Sequence, residues 1–271
     1  MKFFAIRDAS ADTQKDLAYL LYYEIDKRFY IELPEDADPW ETPLLLSGFA
    51  RKGENTVNAY WSRIWVQQRI VPPDRQNIGQ ILRDNGLSAY DEYALLMLSA
   101  GRCEQDDYYL VPMEESALPG SILRRFGKKI EDVVPLHNNR LLVFFRDGTI
   151  RKCDMTAYFE KTQRFSILLK RPDYFANVRI QTGGYGVWWD ENLSIPDTIL
   201  YSMGRRVPLT AEDFKAFASE RIINAAEAAE ILDCSRQYIN ELVRTRKLHP
   251  IKASGKNTLF LKSEVLQRNW Q

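Results

Sequence analysis

Ile223-Asn224-Ala225-Ala226-Glu227-Ala228-Ala229-Glu230-Ile231-Leu232-Asp233-Cys234-Ser235-Arg236-Gln237-Tyr238-Ile239-Asn240-Glu241-Leu242-Val243-Arg244 is the stretch that decides how the chain reads. Ala225–Leu232 predicts a short helix of small side chains, which lets a second helix cross it closely. Asp233-Cys234 makes a turn. Ser235 is a helix-starting residue, and the helix it opens runs to about Arg244. Within that helix Ile239, Leu242 and Val243 are spaced i, i+3 and i+4, so they face a core. Arg236, Gln237, Asn240 and Arg244 fall on the opposite side. Arg, Gln and Asn carry forked donors and acceptors that match guanine and adenine edges. Two helices so arranged are what a helix-turn-helix needs, with the second helix in the major groove.

Downstream, Arg246–Lys252 predicts a basic strand, Ser254-Gly255-Lys256-Asn257 a turn, and Thr258–Leu261 the returning strand. The pair reads as a wing, and Ser263 is the expected cap of a last helix through Leu266. From Ser235 to Arg268 there are eight Lys and Arg against two Glu, a net +6 in a chain whose total is zero. Segregated positive charge is an electrostatic footprint for phosphate. The same pattern also fits a helical hairpin used for protein contact, with its cations solvated.

These residues resemble the excisionase-type, MerR-like winged helix-turn-helix family. The resemblance implies a compact winged module that binds double-stranded DNA. It puts Ser235, Arg236, Gln237, Tyr238 and Asn240 at major-groove positions, with Arg244, Arg246 and Lys247 beside them, and Lys252 to Asn257, including Lys256, on the wing. Cys234 stands where an aliphatic residue is usual, and Lys256-Asn257 replaces an Arg–aromatic pair. One such module buries only about 600–1,000 Å² on DNA. About six phosphate contacts give weak binding with a log–log salt slope near −5. Useful affinity therefore calls for self-association or a protein partner.

Upstream, residues 118–206 read as a small antiparallel α+β unit. Leu141–Phe145 is a strand by composition, Asp147-Gly148 is a hairpin signal, and Thr149–Asp154 returns. Tyr158, Phe159, Phe165 and Leu169 sit on a helical stretch that can cover the sheet. Asn177–Gln181, Gly183-Gly184 and Tyr185–Trp189 form a second hairpin. Leu141–Phe145, Asp173-Tyr174-Phe175 and Gly186-Val187-Trp188-Trp189 resemble a bacterial family known as domain of unknown function 2442. That resemblance implies a sheet that binds a protein and an antitoxin-like or repressor-like role.

Residues 1–117 read as mixed and mostly helical. Asp12 or Thr13 caps a helix whose face carries Leu17, Leu20, Leu21, Tyr22 and Ile25, and Phe29–Leu33 is extended. Pro34, Pro39 and Pro43 make a loop. Helices follow at Val57–Ile70, after Asp74 to Gly86, and at Tyr90–Ala100. Thr210-Ala211-Glu212-Asp213 resembles a capping box that opens a connecting helix, and the whole chain is thus expected to be α+β in three segments, 1–117, 118–206 and 207–271.

The composition agrees with a globular protein: 271 residues, 45% hydrophobic and 27% charged, which suggests about two domains. Equal numbers of acids and bases argue against a wholly basic nucleic-acid coat protein. No apolar run reaches the length of a membrane span, so no membrane partner is expected. The charge at Arg7 interrupts what a secretory core would continue. Cys103, Cys153 and Cys234 are far apart and odd in number, so a reducing cytoplasm is the expected setting.

No enzyme signature is present. Glu104, Asp106 and Asp107 could hold Mg²⁺ for a metal-dependent nuclease, but they also read as a solvated loop. Cys103 reads as a small buried residue. His137 and His249 lack metal spacing, and Gly183-Gly184-Tyr185-Gly186 precedes a strand rather than the helix a phosphate loop requires. Trp61, Trp65, Trp188 and Trp189 read as core or partner contacts. No cofactor and no metal are expected. The leading expectation is a DNA-binding transcriptional regulator whose upstream segments dimerise or bind a partner; the alternatives are an antitoxin-like interaction module and a nuclease.

Overall fold

A computed structural model describes residues 1–12, 14–254 and 257–268. Helices and antiparallel sheets are mixed along the chain, as an α+β fold requires. Two compact units are present: residues 1–147 with 153–204, and residues 148–152 with everything from Arg205 onward.

The first unit begins with β1 (Lys2–Asp8), β2 (Ala18–Tyr23), β3 (Arg28–Glu32), α1 (Leu44–Lys52) and β4 (Thr56–Val57). It continues with α2 (Ala59–Gln67), α3 (Ile78–Asp84), α4 (Glu92–Leu98), β5 (Tyr108–Met113) and α5 (Gly120–Gly127). The strands form one antiparallel sheet in the order β4-β3-β2-β1-β5. The expected helix over Leu17–Ile25 is therefore corrected to strand β2. Its residues alternate between two cores: Ala18, Leu20 and Tyr22 with Leu46, Trp65 and Leu96 on one face, and Tyr19 and Leu21 with Ile122 and Phe126 on the other. A strand buried on both faces loses its polar alternation, and a continuous apolar run cannot be told from a buried helix by period. Ile25, assigned to the apolar helix face, is 98% exposed in the turn that follows. Thr13, one of the two expected caps, lies outside the described residues.

Helices α2, α3 and α4 fall within the expected helical stretches with narrower bounds, whereas α1 was not expected and Val57 belongs to strand β4. Asn58 caps α2 through a hydrogen bond from Trp61 N, and Asp91 caps α4 by accepting from Ala94 N. Gly86 and Gly101 follow α3 and α4 at positive φ.

Next come β6 (Ile130–Leu136), β7 (Arg140–Phe145), β8 (Thr149–Asp154), α6 (Thr156–Lys161), α7 (Ser166–Lys170) and α8 (Pro172–Phe175). They are followed by β9 (Arg179–Ile180), β10 (Gly186–Asp190), β11 (Leu193–Pro196) and α9 (Asp197–Met203). Phe145, Phe159, Phe165, Phe175, Val187, Trp189 and Leu200 share one core, so the aromatic residues of the helical stretch do cover the strands. Trp189 also donates through Nε1 to the Phe175 carbonyl at 2.8 Å. The Gly183-Gly184 segment joins β9 to β10, which pair antiparallel. Gly184 has φ +78°, and a Cβ there would stand 2.3 Å from the Ile130 carbonyl oxygen, so only glycine fits.

A charge network lies inside this unit, with Glu32, Lys129 and Asp197 buried and Arg125 half-buried. Glu32 Oε2 accepts from Arg125 Nε at 3.0 Å and from Thr56 Oγ1 at 2.9 Å. Lys129 Nζ lies 3.7 Å from Glu32 Oε1 and donates to Asp197 Oδ2 at 3.0 Å. Lys129 also sits 3.8 Å over the Tyr185 ring, which stacks on Tyr30 at 3.7 Å. Two acids and two bases balance, the condition under which buried charge is tolerated.

The second unit holds the start of β8 and then β12 (Arg205–Thr210), α10 (Ala211–Arg221), β13 (Ile222–Asn224), α11 (Ala225–Ile231), α12 (Arg236–Arg244), β14 (Lys252–Ser254), β15 (Asn257–Leu261) and α13 (Lys262–Gln267). The capping box opening α10 is formed: Asp213 N donates to Thr210 Oγ1, and Thr210 N to Asp213 Oδ2.

Candidate nucleic-acid interface

The C-terminal site is built from α11 outward. Asn224 Oδ1 accepts from Ala226 N and Glu227 N, and Glu227 Oε2 accepts from Asn224 N at 2.7 Å. This is a second capping box, which the sequence reading passed over although Asn at one position and Glu three later is its signature. Ala228 and Ala229 are buried, the small surface on which α12 crosses.

Asp233 makes the turn at φ +47°. Its N–H donates to the Glu230 carbonyl and the Cys234 N–H to the Ala229 carbonyl, which closes α11. Ser235 Oγ then accepts from Tyr238 N at 3.2 Å and caps α12 as expected. Ile239, Leu242, Ile223, Leu248, Phe260 and Val265 form the core beneath, with Val243 packed against it. The chain leaves α12 by the same type of closure. Arg246 N donates to the Val243 carbonyl and Lys247 N to the Leu242 carbonyl, with Arg246 at φ +56°.

β14 and β15 pair antiparallel from Lys252↔Leu259 to Ser254↔Asn257, and β13 adds to the far side of β15. The returning strand thus starts one residue before Thr258, and the basic strand is confined to its last part. Ser263 does not cap α13: Leu261 stands at that position with no side-chain cap. The helix is held instead by Glu264 Oε1, which accepts from His249 N and lies 2.9 Å from His249 Nδ1. Arg268 Nη1 donates to the Lys247 carbonyl.

Of the sequence-singled residues, Ser235, Arg236, Gln237, Tyr238, Asn240, Arg244, Arg246, Lys247, Lys252 and Asn257 are all exposed. Lys256 lies outside the described residues. Arg236, Arg246, Lys247 and Lys252 form no ion pair among the described residues. Arg244 differs. Its Nε and Nη2 meet Glu241 Oε2 and Oε1 at 2.9 and 2.7 Å, and this carboxylate raises the guanidinium pKa further above its ordinary value. Burial, with Asp233 beside it, pushes the Cys234 thiol up, so it sits in the turn as a neutral packing group.

Elsewhere the candidates disperse. Asp106 is bound to the guanidinium of Arg69, which lies 3.7 Å over Trp65. Burial lowers the Arg69 pKa, and the Asp106 carboxylate opposes that. Glu104 and Asp107 are exposed, and Cys103 is half-buried. Among the described residues, no three His, Cys, Asp or Glu side chains are grouped to hold a metal ion.

The geometry in the second unit is that of a helix-turn-helix. In agreement, residues 223–268 match the family model described as a helix-turn-helix domain. Residues 130–205 match a second model, described as a protein of unknown function (DUF2442). The chain therefore carries both segments, and the first of them points to DNA binding at the C-terminus. No curated protein and no solved structure matches the chain. Among the described residues no helix is long and apolar enough to cross a membrane.

Proposed function

We propose that this protein is a cytoplasmic DNA-binding transcriptional regulator. It reads duplex DNA with α12 as recognition helix and the β14–β15 hairpin as a MerR-like wing. The observation that carries the reading is the division of α12: Ile239 and Leu242 are sealed in the core while Arg236, Gln237 and Asn240 face solvent. Exposed forked side chains on a helix with unpaired cations at its C-terminal exit suit base edges flanked by phosphates. No catalytic step and no cofactor belong to this reading.

One small module binds weakly, so the first unit supplies self-association or a partner contact. Trp40 and Leu44 on that unit are 85% and 90% exposed, and Arg51 lies 5.0 Å over the Trp40 ring. Exposed large apolar side chains of this kind suit a protein partner. In the antitoxin-like reading that partner is a toxin, and DNA binding is secondary.

The test is selection of bound sequences from a random duplex pool, using the full chain and an Arg236→Ala/Asn240→Ala variant. The wild type enriches a site and the variant, with unchanged melting, enriches none. Enrichment of the same site by both, or of nothing by the wild type, refutes the reading.

A further inference from the structure

The second unit contains a cationic surface outside the helix-turn-helix. β8 and β12 pair antiparallel in the register Arg205↔Lys152, Arg206↔Arg151 and Val207↔Ile150. Two successive cross-strand positions therefore set cation against cation, Arg205 with Lys152 on one face of the ribbon and Arg206 with Arg151 on the other. Like charges directly opposite each other destabilise a strand pair. The sequence does not show this, because Arg151-Lys152 and Arg205-Arg206 are more than fifty residues apart and become neighbours only through the register.

Lys152, Arg205 and Arg206 are exposed and Arg151 is half-buried. Among the described residues Lys152, Arg205 and Arg206 form no ion pair. Asp213, which shares an open hollow with Arg206, is committed to the capping box of α10 through Thr210 N and Oγ1. β12 is an edge strand, yet Pro208 and the register shift after Val207 spoil it for further strand pairing. What this edge offers a partner is its side-chain charge.

Charge over the whole chain runs the same way. The second unit holds fourteen Lys and Arg against eight Asp and Glu, a net +6, and the first unit therefore carries −6. The ribbon supplies four of those fourteen cations.

We propose that Lys152 and Arg205, which share one face of the ribbon, form a second phosphate-binding surface that holds the backbone of the DNA duplex bound by the helix-turn-helix. This rests on the DNA-binding reading above and extends it. Phosphate contacts fix register and add affinity without carrying sequence information. Such a surface would raise the affinity of a module that is too small to bind tightly alone.

The test uses the full chain and a mixed-sequence duplex of about 30 base pairs, close to three helical turns. Affinity is read by fluorescence anisotropy across a salt series for the wild type and for Lys152→Gln/Arg205→Gln. Each phosphate contact contributes about 0.9 to the log–log slope, so the double variant is expected to flatten it by about two. The site selected from a random pool stays that of the wild type. An unchanged slope overturns the proposal and leaves the helix-turn-helix reading standing. Failure of the wild type to bind any duplex overturns both. If the double variant does not fold, Lys152→Gln and Arg205→Gln are read singly, each expected to flatten the slope by about one; no change in either overturns the proposal.

Discussion

Lys129 Nζ lies 3.0 Å from Asp197 Oδ2, with both side chains almost sealed from solvent. The lysine stands between α5 and β6 and the aspartate at the start of α9, 68 residues later. Lys129 also balances Glu32 at 3.7 Å. Lys129→Met would leave buried carboxylates short of a cation. Breaking one side of a buried ionic group costs about 3–5 kcal/mol. Urea unfolding should show a loss of that order, and a loss below about 1 kcal/mol would mean the network relaxes into water.

Asp197 gives a pH signature. Burial raises its pKa above the ordinary aspartate value, although Lys129 opposes the shift. A carboxyl whose folded pKa is raised contributes most below its unfolded pKa, and that contribution is lost as pH rises through the folded value. Asp197→Asn removes the titration. Relative to the wild type, the variant should therefore gain stability as pH climbs out of the acid range. Parallel stability curves for the two proteins would refute the assignment.

Arg246 occupies the left-handed position that closes α12, where glycine is the favoured residue. Arg246→Gly should relieve backbone strain and stabilise the fold by about 0.5–1 kcal/mol. The same change removes a cation from the proposed interface. Thermal melting and duplex affinity should move in opposite directions. A variant both less stable and equally tight on DNA would contradict both arguments.

Ser235→Ala removes the acceptor for Tyr238 N at the start of α12. Loss of such a cap costs about 1 kcal/mol. Amide exchange should rise first over the opening turn of α12, with the core around Phe260 last to respond.

Glu241→Gln frees Arg244 from its carboxylate partner. Affinity for a duplex should increase and its salt slope steepen by up to about one, because one more guanidinium reaches phosphate. An unchanged slope would show that Arg244 faces away from the DNA.

The helix-turn-helix was legible in the sequence because its signals are local. Ser235 three residues before Tyr238, and Ile239 and Leu242 at helical spacing, interact within one turn of chain. The Thr210–Asp213 capping box and the Gly183-Gly184 turn were legible for the same reason. The expected cap at Ser263 failed, since α13 already begins at Lys262 and Ser263 lies within its first turn.

Sequence alone settled what short-range chemistry settles: the caps, the turns, the solvent face of α12 and the excess of positive charge toward the C-terminus. Tertiary structure decided the rest. Ala18–Tyr23 became a strand because both of its faces found cores, contributed by α2 and α4 on one side and α5 on the other. Glu32 could be buried only because Arg125 and Lys129, some ninety residues later, arrive beside it. Arg205 faces Lys152 solely through strand register. Contacts between distant segments depend on burial and on hydrogen-bond register, neither of which leaves a periodic trace in the residues themselves.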